Sequence, residues 1–204
     1  MELVVATRNK DKVREIKELL SDLKVRILTH EDFPNFPSVV EDGKNLKENA
    51  LKKARAIAKF TGKLALADDS GLEVEALGGA PGVFSSRFAG ENATYEDNNQ
   101  KLLSLLKGVP PEKRGAVFRC VIAIIDPEGR EVVVEGVCRG RITEKPRGKE
   151  GFGYDPVFEP EGSERTFAQM SLEEKNRISH RAKALKKAKE ALRKLKVLSG
   201  YGSS

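Results

Sequence analysis

The chain has 204 residues, enough to bury one sizeable core without requiring a second domain. Charged residues make up 33% of it and hydrophobic ones 39%, with nine Phe spread along its length, which excludes the disordered and membrane-embedded classes. The net charge of +6 invites a nucleic-acid reading, yet between Arg181 and Lys196 eight basic residues stand against one acid, so that one segment carries the excess and the remainder is about neutral.

In chain order, residues 2–6 are predicted as an apolar strand, 7–10 as a polar turn, and Val13, Ile16, Leu19 and Leu20 as the stripe of a first helix. Residues 25–28 form a second predicted strand. Prolines in 33–38 break regular structure, and a second helix is expected over 46–61, with Leu46, Ala50, Ala54 and Ile57 on one face. Residues 64–67 read as a short strand ending in a turn, Asp68-Asp69-Ser70-Gly71. A glycine-rich loop over 78–82 precedes a third helix over 95–107. Residues 117–125 and 131–142 are then predicted as two strands of a hairpin turning at 126–129. After a second glycine-rich stretch the chain closes in an amphipathic helix whose apolar residues are Leu185, Ala188, Leu192 and Leu195, which makes its lysines a solvated face rather than a nucleic-acid footprint. The pattern implies an α/β domain with a mixed central sheet flanked by helices, one domain over 1–198 and a frayed tail over 199–204.

No apolar run reaches the roughly 20 residues of a membrane-spanning helix, and Leu3-Val4-Val5-Ala6 is too short for a secretory signal core, so no membrane association and a cytoplasmic setting are expected. Cys120 and Cys138 are not a Cys-x-x-Cys pair and the histidines are His30 and His180, which rules out a zinc cluster of familiar spacing. Both cysteines lie in apolar strand-like segments and read as core.

Four stretches carry chemistry. At the first strand-to-helix junction, Thr7, Asn9 and Lys12 are suited to phosphate oxygens, although Asn9 alone reads first as a helix cap. Asp68-Asp69-Ser70-Gly71 places two adjacent carboxylates outside a strand; like charges so close need a cation or a proton between them, and an ordinary Asp/Ser/Gly turn is the equal alternative. Glu41-Asp42-Gly43 is followed by Glu48, Asn49 and Lys53, the last two sharing a helix face, whereas taken alone a surface Glu48/Lys52 pair is the plainer reading. Finally Phe152, Gly153, Tyr154 and Asp155, with Lys175, His180 and Arg181, offer an aromatic face, a flexible glycine, an acceptor and donors, the set needed to read a flat heterocycle. Each of these has a bland alternative in core packing or a helix start.

Together the motifs resemble the inosine triphosphate pyrophosphatase family, the Ham1-like pyrophosphatases of non-standard purine nucleotides. The match runs through Ala6-Thr7-x-Asn9-x-x-Lys12, Glu41-Asp42-Gly43, Glu48-Asn49-Ala50-x-x-Lys53-Ala54, Ala67-Asp68-Asp69-Ser70-Gly71-Leu72, Leu77-Gly78-Gly79-Ala80-Pro81-Gly82, Ser86-Arg87-Phe88, Gly151-Phe152-Gly153-Tyr154-Asp155-Pro156 and Ser179-His180-Arg181. Asn45-Leu46 departs from the usual Thr or Ser then Phe, and Phe88 from the usual Tyr.

The resemblance implies an elongated two-lobed fold with the active site in the cleft, a homodimer, and cleavage of ITP, dITP or XTP to monophosphate and pyrophosphate with Mg²⁺. It further implies that Thr7, Asn9, Lys12 and Lys53 bind the triphosphate, that Glu41, Asp68 and Asp69 organise Mg²⁺, and that Asp69 activates water. Ser70 would touch the substrate, and Phe152, Gly153, Tyr154, Asp155, Lys175, His180 and Arg181 would surround sugar and base. The rival readings are a Maf-like pyrophosphatase for modified pyrimidine nucleotides and a non-catalytic nucleic-acid-binding protein.

Overall fold

The computed structural model describes residues 1–200. One six-stranded sheet has the order β2-β1-β3-β4-β5-β6, where β1 is Glu2–Val5, β2 Arg26–Leu28, β3 Leu64–Val74, β4 Gly115–Ile125, β5 Glu131–Ile142 and β6 Phe158–Pro160. The helices are α1 (Lys10–Leu19), α2 (Leu46–Thr61), α3 (Tyr95–Leu105), α4 (Leu172–Asn176) and α5 (His180–Gly200). The mixed α/β class is therefore as expected. The chain divides into two compact units, Met1–Asp69 with Val121–Gly136 and Ala182–Ser204, and Ser70–Cys120 with Val137–Arg181. The end of the expected tail, 201–204, lies outside the described residues.

In the first unit, β1 runs parallel to both neighbours, with Leu3 opposite Ile27 of β2 and Leu64 of β3. Such strands are covered on both faces and read as continuous apolar runs, and Leu3, Val4, Val5, Ala65, Leu66 and Ala67 are all fully buried. The helical stripes supply the cover: Ile16 from α1, Ala50, Ala54 and Ile57 from α2, and Ala184, Leu185, Ala188 and Leu192 from α5. On the outer side of α5, Lys183, Lys186 and Lys187 are exposed and Lys189 pairs with Asp22 at 2.7 Å, the solvated basic face its periodicity implied. At the start of α2, Asn45 accepts a hydrogen bond from the Glu48 N–H at 2.9 Å, so the departure from Ser or Thr preserves the cap.

The second unit is built around Leu72, Val74, Leu102, Leu106, Phe118, Val157, Phe158 and Phe167. Phe118 packs edge-on against Phe158 at 4.5 Å between centroids, and Phe158 lies 5.2 Å from Phe167. A capping box of Thr94 and Asp97 starts α3, which ends at Leu105, two residues before the expected stop. Cys120 and Cys138 are buried, as read from their strands.

One local expectation is overturned. Asp68-Asp69-Ser70-Gly71 is not a turn but the middle of β3, which continues to Val74. The Ser-Gly pair marks close backbone approach instead: a Cβ on Gly71 would stand 2.5 Å from the Gly82 carbonyl oxygen, and Leu72 N–H donates to Ser85 Oγ at 2.9 Å. Among the described residues, no helix is long and apolar enough to cross a membrane.

Candidate active site

The first cluster is assembled by α1, α2 and β3. Asn9 caps α1, its Oδ1 accepting from the N–H groups of Asp11 at 3.0 Å and Lys12 at 3.1 Å, while Thr7 Oγ1 accepts from the Asn9 N–H at 3.1 Å. The cap reading of Asn9 is thus observed. Because successive residues of a strand point to opposite faces, Asp68 and Asp69 meet different partners. Asp68, with no exposed side-chain surface, pairs with Lys12 Nζ at 2.7 Å. Asp69 Oδ1 pairs with Lys53 Nζ at 3.1 Å; the same ammonium donates to the Asp68 carbonyl at 2.7 Å and reaches Glu41 Oε1 at 3.4 Å. The α2 face proposed for Asn49 and Lys53 therefore points inward, and both side chains are buried. Lys52, expected to pair with Glu48, instead meets Asp42, while Glu48 accepts the Lys44 N–H at 2.7 Å. A small cavity lined by Thr7, Arg8, Phe36, Ser38, Glu41 and Lys53 opens beside this cluster.

Burial pushes Asp69 above the ordinary carboxylate range, and it outweighs the Lys53 and Lys12 ammoniums that pull the other way. For Glu41 burial also acts upward, but the Lys53 and Lys12 ammoniums win and hold it below its usual value. A proton or a cation is needed between two such groups. Buried Asp69 Oδ2 receives no hydrogen-bond donor, a vacancy in its bonding that suits a hard cation. No group of three or more acidic, thiol or imidazole side chains converges as a metal cage among the described residues. A hard divalent cation can be held by one or two carboxylates, with phosphate and water at its other positions. Glu41 and Asp69 are the pair that fits, and Asp68 is turned toward Lys12.

The second cluster lies wholly in the second unit. Lys175 and Asp155 form a buried ion pair at 2.6 Å, each side chain 3% exposed, and the Phe152 N–H donates to the same Asp155 Oδ2 at 3.0 Å. Gly151 permits this: its φ is +69°, and a Cβ there would fall 2.1 Å from Asp155 Oδ2. The Phe152 ring carries two cations, Lys175 Nζ at 4.8 Å and the Arg181 guanidinium at 5.5 Å from its centroid. Arg181 is almost fully buried and donates to Ser70 Oγ at 3.2 Å. His180 stacks on Phe118, centroids 4.5 Å apart and planes 7° from parallel. Tyr154 belongs to the core, its hydroxyl donating to the Ser85 carbonyl at 2.6 Å, so its side chain builds the framework of this cluster.

Sequence reasoning passed over three residues that hold this framework. Ser85 bonds both Leu72 and the Gly82 carbonyl, and Tyr95 and Asn99 of α3 hold the turn at Phe152-Gly153. The one available signal was the four-residue spacing of Tyr95 and Asn99, which puts them on one helix face.

The model of the Ham1 family matches residues 3–191. A dITP/XTP pyrophosphatase of Desulforamulus reducens is 56% identical over 195 residues, 96% of this chain and 97% of the relative. One from Geobacter sulfurreducens is 54% identical over 190 residues, 93% of this chain and 96% of the relative. Among solved structures, a HAM1 protein from Coxiella burnetii superposes with a TM-score of 0.86 at 44% identity, covering 95% of this chain and 99% of that one. With the family's model spanning nearly the whole described chain, and with relatives more than half identical over almost their full length, this chain belongs to the Ham1 family.

Proposed function

We propose that this protein hydrolyses non-standard purine nucleoside triphosphates, ITP, dITP and XTP, to the monophosphate and pyrophosphate, and so clears the nucleotide pool. The observation that carries the reading is Asp69: buried, raised in proton affinity, held at Oδ1 by Lys53, and carrying an Oδ2 that no donor reaches. In this reading Asp69 accepts a proton from a water molecule whose oxygen attacks the α-phosphorus. The bond from that phosphorus to the α–β bridging oxygen breaks and pyrophosphate leaves. Mg²⁺, held by Glu41 and Asp69 and with Asp68 nearby in sequence, supplies charge neutralisation and a more acidic water when bound. Lys12 and Lys53, which pair with Asp68 and Asp69, would together with Thr7 and Asn9 meet the phosphate oxygens and stabilise charge that grows on the leaving group.

Base selection falls to the second cluster. Arg181 and His180 are donors suited to the 6-oxygen of inosine and xanthine, and a 6-amino group would leave a buried donor unpaired. Ser70, Phe152, Gly153, Tyr154, Asp155 and Lys175 complete the surroundings of base and sugar. The reading includes a homodimer, which rests on the family resemblance, and a cytoplasmic setting, which rests on the apolar pattern of the sequence, and assigns no nucleic-acid or membrane partner.

The test is pyrophosphate release from ITP, XTP, dITP, GTP, ATP and a modified pyrimidine triphosphate, each with Mg²⁺ and with chelator. Metal-dependent cleavage centred on the non-standard 6-oxo purines is expected. Cleavage centred on the pyrimidine would replace this reading with the Maf-like one, and no hydrolysis of any substrate would end it.

A further inference from the structure

We infer that one face of α3, formed by Tyr95 and Asn99, is a positioning surface that sets base selectivity by fixing the Phe152-Gly153 turn. The inference rests on the functional reading above and extends it to residues that touch no reacting atom.

Three observations meet at this turn. Asn99 is 7% exposed and its Nδ2 donates to the Gly153 carbonyl at 3.0 Å. One helical turn earlier on the same face, the Tyr95 ring lies 5.9 Å from the Phe152 ring, tilted by 49°. From the opposite end of the turn, Asp155 Oδ2 accepts the Phe152 N–H. The two residues Phe152 and Gly153 are thereby bracketed, at the Gly153 carbonyl by α3 and at the Phe152 N–H by the buried Asp155-Lys175 pair. What the grip fixes is the ring on which both Lys175 and Arg181 rest. Asn98, next along α3, performs the parallel task for another segment: it donates to the Ser86 carbonyl at 3.2 Å and accepts the Ala89 N–H at 2.8 Å. The capping box at Thr94 sets where the helix starts, and with it the rotation that presents Tyr95 and Asn99 to the turn.

The energetic logic is that of a support group. A donor such as the Arg181 guanidinium discriminates between an oxygen acceptor and an amino group only if it is held in place; given freedom, it moves to accommodate the wrong partner and the penalty for mismatch falls. Releasing the Gly153 carbonyl or removing the Tyr95 ring lets the Phe152 platform drift. Binding of the preferred base and rejection of the wrong one should weaken together, while the step at the α-phosphorus keeps its rate once substrate is bound.

The experiment measures kcat and KM for ITP and ATP with the full-length protein and its Asn99→Leu, Tyr95→Ala and Tyr95→Phe variants, with Tm recorded for each. Asn99→Leu keeps size and removes the donor, and Tyr95→Phe keeps the ring. Asn99→Leu and Tyr95→Ala should each raise KM for ITP about 3- to 10-fold and narrow the ITP-to-ATP ratio of kcat/KM by a similar factor, with kcat within about twofold. Tyr95→Phe, which keeps the ring beside Phe152, should keep the parent's ITP-to-ATP ratio. If Asn99→Leu does not fold, the half-exposed Tyr95 decides by itself. Variants that lose Tm yet keep the parent's substrate ratio would overturn the inference, leaving α3 a packing element. A parent protein with no preference for ITP would instead overturn the functional reading on which the inference stands.

Discussion

The buried pair of Lys175 and Asp155 gives the sharpest test of how the second cluster is held. The two groups lie 2.6 Å apart with side chains 3% exposed. Lys175→Met retains the length of the stem and a favourable sulfur contact with Phe152 and Phe167, whose rings now face the ammonium at 4.8 and 5.6 Å, but it takes from the Asp155 carboxylate the ammonium it pairs with. Removing one partner of a buried pair costs about 3–5 kcal/mol, most of it the penalty of the charge left behind. For a chain of this size each kcal/mol lowers Tm by about 2–4 °C, so a fall of about 6–20 °C is expected in a calorimetric scan. Asp155→Asn together with Lys175→Met removes both charges, while the Asn carbonyl can still accept the Phe152 N–H. The double variant should therefore recover part of the loss, with a coupling of about 1–3 kcal/mol in urea titrations. A Lys175→Met protein that melts within about 2 °C of the parent, or a double variant no more stable than Lys175→Met, would refute the assignment of this pair as the anchor of the Phe152 turn.

Asp69→Asn should lower kcat about 10²- to 10⁴-fold, the usual range for losing a general base, with nucleotide binding partly retained in a fluorescence or calorimetric titration; near-normal turnover would remove Asp69 from that role. Its stability should move the other way. The Asp69 carboxyl is raised above its ordinary value of 3.8 by burial, so its contribution to stability is full below that value and is lost as pH rises through the folded one. Asp69→Asn is uncharged at every pH and leaves Lys53 its second carboxylate, Glu41 at 3.4 Å, so it is expected to melt no lower than the parent at neutral pH. Arg181→Ala should reduce the preference for ITP over ATP while metal dependence persists, and unchanged discrimination would dismiss the guanidinium as the reader of the 6-position.

Much of this molecule was legible in its primary structure. The stripes of α1, α2 and α5, the cap at Asn9, the hairpin near Asp126 and the burial of both cysteines all follow from local periodicity and composition. So did the separate candidate motifs, since each contains residue types whose chemistry is intrinsic. What local pattern did not reveal was the conformation of Asp68-Asp69-Ser70-Gly71. Turn-forming residues announced a turn, whereas the ladder with neighbouring strands and the close pass of the Gly82 carbonyl keep the segment extended through Val74.

That difference decides the chemistry of the first cluster. In a turn the two carboxylates would converge; in a strand they alternate, so Asp68 meets Lys12 and Asp69 meets Lys53 and Glu41. The same holds elsewhere. Tyr154 and Phe152 are two residues apart in the chain, yet one is core and the other a platform for cations, and the grip of Tyr95 and Asn99 on their turn spans more than fifty positions. Periodicity and capping are set by neighbours within a few residues and survive in the sequence. Partner choice among buried charges is set by which long-range contacts exclude water, and only the tertiary structure decides it.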